Sequence, residues 1–548
     1  MVLFVYLVRM GHQGPMQKYG WIQRLTSKHR LFIIGIFVFS VVAHVPYLAP
    51  GGPSACYPNP LFLVIDEGTV LYDSFRITCG GVIYRDFFQF QGPVFYYIYA
   101  GLFAFTGPSM TAARALNLLI TALATMFIAL LITQSLGPVT GAGAAAVHAC
   151  LLVPMYPYAY PHWLAETFAF AGIYLLAKGR GRPSRELAGG VCLGLCAATI
   201  QSLGLPILAA YIVYLALPGI TRHSWRDTCV RPLRVLGGAL LSILPFIIYL
   251  GFVGALNQMW YATTEWVLSY YYQGQKDAMM SGYGAYLSDF IIAHSGVGWP
   301  WRSLAVTVLR FVKLLPVFTI CGVMVATAQV VSNKGRRSMD YVYLMISIAG
   351  IAGTAPLLLR IIRPDIVHMA FLGSFGLCGA AVAIQPLVNW KPRFRLLVAI
   401  AWATIGILVI ANFSAKAVMT YRPSREMKGW REKILKQGMA SWIDANLDSN
   451  ERIVTAYGGF QYLYIRHAAV GFTFLPFDTP MYYSDEQWRK IGGQILKTLP
   501  PVIEITKGQW LQVTQRTPEL NQIYRLVNNR FLMRKGFTPR LPLTEQAH

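Results

Sequence analysis

A helix that crosses a membrane needs about 20 mostly apolar residues. Runs of this kind recur near 31–48, 112–134, 138–154, 166–177, 187–202, 204–218, 235–256, 304–330, 341–359, 370–388 and 396–415. The pattern predicts a polytopic α-helical membrane protein with about eleven transmembrane helices. Basic residues punctuate the apolar runs in a regular way. Lys18, Arg24, Lys28 and Arg30 precede the first run, which places the N-terminus in the cytoplasm. Lys178, Arg180, Arg182 and Arg185 then fall in one inner loop, and Arg222, Arg226, Arg231 and Arg234 in the next. Lys334, Arg336 and Arg337, then Lys391, Arg393 and Arg395, continue the alternation. An odd number of spans puts the tail from about Thr420 to His548 outside.

Composition agrees with this register. Of 548 residues, 55% are hydrophobic and only 13% charged, with a mean hydropathy of +0.46, which excludes an ordinary soluble domain. The formal charge of +24 would suit nucleic acid if it were gathered on one face. It lies instead between apolar runs, where it sets orientation and meets anionic headgroups, so nucleic acid is not expected as a partner. Six of eight cysteines (Cys150, Cys192, Cys196, Cys229, Cys321, Cys378) lie in or beside spans and read as packing residues. Cys56 and Cys79 are the outer pair, in a compartment that permits a disulfide.

Three outer pieces are larger than connectors: 49–111, 257–303 and 420–548. The chain divides accordingly into a transmembrane module, 1–419, and an extracytoplasmic domain, 420–548. In the latter an amphipathic stretch from Met427 to Asn446 precedes strand-like runs at Arg452–Tyr457 and Pro501–Ile505, the pattern of a small α/β unit.

Candidate chemistry concentrates in the first outer piece. It reads Ile65-Asp66-Glu67-Gly68, then Tyr84-Arg85-Asp86-Phe87-Phe88, then Gln91-Gly92-Pro93-Val94-Phe95-Tyr96-Tyr97, with Arg114 heading the next span. A solvated loop carries an Asp-Glu pair at no cost, so the pair by itself does not require catalysis. Asp86 sits among aromatics suited to the interface, where pairing with Arg85 or capping a helix is expected. Glu166 follows Pro161-His162-Trp163 at the outer mouth of a span, as an interfacial residue or a third functional acid. Arg360, Arg363, Asp365 and His368 lie on the outer side, against the positive-inside tendency. A lipid phosphate would compensate them; an Arg363–Asp365 pair capping the next helix is the plainer alternative.

The ordered series Asp-Glu-Gly, Gly-x-x-Tyr-x-Asp-Phe-Phe and Gly-Pro-x-x-Tyr-Tyr, followed by Gly107 and Arg114, resembles the superfamily of protein O-mannosyltransferases and aminoarabinose transferases. The resemblance covers the first third of the chain in detail and the rest by topology. It implies a GT-C fold in which the first outer loop forms two helices along the membrane, opened by the acidic pair. It also implies an inverting glycosyltransferase of the plasma (inner) membrane, using a sugar donor on a polyprenyl phosphate and a glycan, lipid or protein acceptor outside.

In that reading Asp66 takes the acceptor proton, Glu67 orients or supports it, and Glu166 is a further acid. Arg114, Arg363 and His368 face the leaving phosphate, with Tyr84, Arg85 and Asp86 supporting the loop. Asp66, Glu67 and Glu166 offer hard oxygen atoms suited to a divalent metal, but no cofactor or metal is predicted. Two rivals share the apolar pattern. A lipid-linked glycan ligase or polymerase would draw on the loop 257–303, with Glu265, Lys276, Asp277, Asp289, His294 and Arg302. A secondary transporter would show repeat symmetry, which is not seen in this sequence.

Overall fold

The computed structural model describes residues 27–48, 60–178, 182–221, 226–271, 318–328, 347–348, 350–354, 366–390, 439–448, 450–455, 484–505, 507–527 and 531–540. Helix α1 spans Ser27–His44 and ends in a tight turn, Val45–Leu48. The segment 49–111 then supplies two helices, α2 (Pro60–Thr78) and α3 (Val94–Thr106). Helix α4 (Met110–Leu136) is capped by Ser109, whose side chain accepts from the Ala112 N–H, and it stops at Gly137. Helix α5 (Pro138–Val147) starts on a proline, the residue best suited to a first helical turn, and continues as a π-helical turn, His148–Leu152. Helices α6 (Pro161–Lys178), α7 (Pro183–Ala197), α8 (Gln201–Thr221), α9 (Arg231–Phe252) and α10 (Ile366–Trp390) follow.

Among the described residues, Met110–Gln134 and Thr228–Phe252 are long and apolar enough to cross a membrane by themselves. Shorter apolar helices include Leu31–His44, Pro138–Leu152, Gln201–Ala216, Phe318–Ala328 and Phe371–Ala383. Helix α9 leaves Leu233, Leu240, Leu241, Leu244, Ile248 and Phe252 exposed along its length, the face expected of a helix solvated by lipid rather than water. The expected span 396–415 lies outside the described residues.

Helices α7 and α9 approach closely through small residues. A Cβ on Gly190 would stand 2.1 Å from the Val235 carbonyl oxygen, and one on Gly194 2.2 Å from Ser242 Oγ. Where α7 starts and α9 starts, Glu186 accepts from Arg231 Nε at 2.7 Å and Arg234 Nη1 at 3.1 Å, so part of a basic cluster read as a loop feature also ties two helices together.

The tail contributes helix α11 (Met439–Asn446), strand β1 (Val454–Thr455), helix α12 (Asp485–Thr498), strand β2 (Val502–Glu504), helix α13 (Lys507–Thr514), and strands β3 (Tyr524–Leu526) and β4 (Phe531–Arg534). The sheet order is β1-β2-β4-β3, with β1 parallel to β2 and the other pairs antiparallel. A capping box between Ser484 and Gln487 starts α12. One continuous apolar core runs from Leu71, Tyr84 and Tyr99 of the segment 49–111 through Trp163 and Trp266 to Trp488 and Ile503 of the tail. Gln487 also donates from Nε2 to Tyr261 Oη at 3.1 Å, joining α12 to the start of the segment 257–303.

Candidate active site

Helix α2 carries the acidic pair. Glu67 is fully buried and meets Arg114 of α4 side-on: Arg114 Nη2 donates to Oε2 at 2.6 Å, and Nε to both carboxylate oxygens at 3.1 and 3.2 Å. Its Oε1 also accepts from the Ala159 backbone N–H at 2.8 Å. A buried carboxylate is tolerated only when paired and hydrogen-bonded, and both conditions hold here. The guanidinium lies over the Tyr158 ring, 4.9 Å from its centroid. Asp66 precedes Glu67 on the same helix; its side chain, like Arg360, Arg363 and Asp365, lies outside the described residues. Arg114, expected at the phosphate, is thus placed against Glu67.

The segment carrying Tyr158 and Ala159 also reaches His368. His162 stacks on Phe371, with centroids 4.5 Å apart, and on Tyr160, 5.2 Å away, and meets His368 edge-on at 5.8 Å. Residues 67, 114, 158–162 and 368 therefore converge on one stretch of backbone, although hundreds of positions separate their ends. Ala159 was invisible in the sequence because it acts through its backbone N–H.

Two turns beyond Asp66, on the same helix, stands a carboxylate the sequence reading passed over. Asp73 is buried, accepts from Gln89 Nε2 at 2.6 Å and lies 3.6 Å from Arg76. Burial pushes its carboxyl up to about 6, against the opposing pull of Arg76 and the Gln89 hydrogen bond. Its seven-residue spacing from Asp66, which returns to the same side of a helix, was the available signal.

Tyr84, Arg85 and Asp86 form the turn between α2 and α3. Asp86 Oδ2 accepts from the Val82 N–H at 2.8 Å, and Arg85 donates to both Asp86 oxygens and to the Val253 carbonyl at the end of α9. The Arg85 hydrogen bonds hold the half-exposed Asp86 carboxyl below its usual range. Buried Tyr84 adopts φ 70°, rare for a bulky side chain, and its hydroxyl donates to the Gln91 carbonyl at 2.6 Å. Gly92 packs directly on the end of α7, where a Cβ would lie 2.1 Å from the Ala198 oxygen. Cys79 is exposed and free; Cys56, the other outer cysteine of the sequence expectation, lies outside the described residues.

Glu166 is expected at the outer mouth of a span. The structure places it within the bundle with no exposed surface, its Oε1 3.0 Å from His148 Nε2. His148 in turn contacts Thr125 Oγ1 at 2.8 Å, and Ser40 Oγ donates to the same hydroxyl at 3.1 Å. Between α1 and α4 a cleft of about 10 Å³, lined by His44, Tyr47, Arg114, Asn117 and Thr121 among others, has room for one water. Among the described residues no three His, Cys, Asp or Glu side chains gather closely enough to hold a metal ion. Glu67, one of the three carboxylates suited to a metal, is committed to Arg114 and the Ala159 N–H.

No protein-family model and no curated protein matches the sequence. Solved structures do. ArnT from Cupriavidus metallidurans, bound to undecaprenyl phosphate, superposes with a TM-score of 0.54 over 93% of this chain and 98% of its own, at 12% identity. The Archaeoglobus fulgidus oligosaccharyltransferase, in complex with Zn and sulfate, gives a TM-score of 0.51 over 90% of this chain and 71% of its own, at 13% identity. At such identities the likeness speaks for architecture. The chain therefore shares the GT-C fold of these two structures.

Proposed function

We propose that this protein is an inverting glycosyltransferase that moves a sugar from a polyprenyl-phosphate donor to an acceptor on the extracytoplasmic side of the plasma membrane. The observation that carries the proposal is the buried Glu67–Arg114 pair, which anchors the helix bearing Asp66 at the N-terminal end of α4. A fully desolvated ion pair costs stability unless its geometry is excellent, and a fold keeps one where a neighbouring group must be held in place. The fold supports the reading, since the ArnT of similar architecture binds undecaprenyl phosphate.

In the proposed reaction Asp66 accepts the proton of the acceptor hydroxyl as its oxygen attacks the anomeric carbon. The bond from that carbon to the phosphate oxygen breaks, and the polyprenyl phosphate leaves with the electron pair. Direct displacement inverts the anomeric centre. Arg363 and His368 stabilise the departing phosphate, Arg114 holds Glu67, and Glu67 keeps Asp66 in register. About eleven spans, a cytoplasmic N-terminus and an outer tail complete the arrangement. The acceptor is a glycan, a lipid or a protein.

The test is release of polyprenyl phosphate from a sugar-loaded lipid by the purified protein, with the sugar recovered on an acceptor. Transfer by wild-type protein that stops in Asp66→Asn supports the proposal. Transport of the intact lipid-linked sugar without bond cleavage overturns it.

A further inference from the structure

Residues 148–166 form a clasped excursion. The chain leaves the π-helical turn at His148, passes Tyr156–Tyr160, and returns down α6 to Glu166. Its two ends meet in the buried contact of His148 Nε2 with Glu166 Oε1, 3.0 Å apart. Its apex touches the candidate site three times: Ala159 N–H donates to Glu67, the Tyr158 carbonyl accepts from Asn117 Nδ2 at 3.0 Å, and the Tyr158 ring lies under Arg114. Trp163 Nε1 donates to the Tyr156 carbonyl at 2.8 Å and closes the upper half of the excursion.

Hydrogen bonding at the base favours one arrangement of protons. Thr125 Oγ1 lies 2.9 Å from the Thr121 carbonyl and 3.1 Å from Ser40 Oγ. A hydroxyl has a single proton; with that proton on the Thr121 carbonyl, Thr125 meets His148 Nδ1, 2.8 Å away, as an acceptor, and Nδ1 carries a hydrogen. One further proton lies between Nε2 and Glu166 Oε1, on the imidazolium or on the carboxyl, and either form leaves the pair neutral. A bare carboxylate beside a neutral imidazole would leave a buried charge with no cation matched to it among the described residues, because Arg114 is already matched by Glu67. Glu166 Oε2 has no hydrogen-bond partner among the described residues, which a shared proton makes easier to sustain.

We infer that His148 and Glu166 are positioning residues: a one-proton clasp that closes the base of the 148–166 excursion and so holds Ala159 and Tyr158 against Glu67 and Arg114. Only its effect on turnover rests on the glycosyltransferase reading; the clasp itself does not.

Amide hydrogen exchange on the full-length protein in detergent tests it. In Glu166→Leu and His148→Ala the amides of 156–160 should exchange about tenfold faster or more, while those of 485–498 stay protected. Glu166→Gln, whose neutral amide donates to Nε2 from the same place, should retain wild-type protection. If Glu166→Leu also exposes 485–498, the milder Glu166→Asp, one carbon short of Nε2, decides by the same comparison. Unchanged exchange at 156–160 in the breaking variants, or opening in Glu166→Gln as large as in Glu166→Leu, overturns the clasp. Sugar transfer supplies the second arm. A fall in kcat with unchanged donor KM in Glu166→Leu, rescued in Glu166→Gln, supports positioning; local opening with full kcat overturns it. Absence of transfer in wild-type protein overturns the glycosyltransferase reading alone, and the exchange result still judges the clasp.

Discussion

Asp66 and Glu67 are neighbours in sequence with different proposed tasks, and substitution should separate them. Removing a general base typically costs about 100-fold to 10,000-fold in rate, so Asp66→Asn should lose most turnover while donor binding is kept. Steady-state transfer and donor-binding titration check this, and near-normal turnover in a folded Asp66→Asn protein would move the base elsewhere. Arg114→Ala strands Glu67 in the core, and breaking a buried pair from one side costs about 3–5 kcal/mol. A large drop in melting temperature is expected, with Glu67→Gln less damaging because its amide oxygen still accepts from Ala159. Asp73 makes a pH prediction. Its carboxyl titrates higher in the folded protein, at about 6, than in the unfolded chain, at about 4. The folded state therefore holds the proton more tightly, and this group's contribution declines as pH rises from about 4 to about 6. Above that window the buried charge costs on the order of 3 kcal/mol, so Asp73→Asn should stabilise the protein near neutral pH and leave it unchanged in acid. Melting curves of both proteins across the window test the sign.

Helices α7 and α9 are held by absence of side chains. The carbonyl of Val235 occupies the place a Cβ on Gly190 would need, and Gly194 meets Ala239 and Ser242 in the same way one turn on. Gly237, on the same helix pair, faces open space. Gly190→Leu should force the backbones apart and destabilise by about 1–3 kcal/mol or more, whereas Gly237→Ala should be silent. Thermal unfolding monitored in detergent distinguishes them, and equal melting points for both variants would refute the close approach. The four-residue spacing of Gly190 and Gly194 was present in the sequence as a small-x-x-x-small pattern, but its partner helix was not.

Across the whole molecule the tail and the segment bearing the candidate site share one apolar core, so the tail packs against the helices that carry it. A chain truncated after Ala417 should lose transfer to its natural acceptor even if the membrane part folds; full activity in a folded truncation would show that the tail is dispensable. Cysteine reporters near Thr26 and near Gln522 should label from opposite sides of the membrane. Labelling of both from one side would overturn the odd number of spans and the outward placement of Asp66.

Periodicity along the chain marked several of the elements, though not α2 or strands β3 and β4. Apolar runs near 112–134 and 235–256 correspond to α4 and α9, and the strand-like runs at 452–457 and 501–505 contain β1 and β2. These signals are local, because a helix that meets lipid or a strand that meets a core must carry its apolar face in its own residues. The acidic pair was legible for the same reason, as adjacent letters in a recognisable motif. What Glu67 does was not: its partners, Arg114 and the Ala159 N–H, lie far along the chain, and a backbone donor leaves no mark in residue identity. Nor did sequence place Glu166, which reads as a span entrance yet is buried on His148. Depth within a bundle depends on how helices pack around a residue, and a buried charge persists only where the fold brings it a partner. Residue chemistry and periodicity are written along one dimension; pairing and burial arise when the helices close on one another.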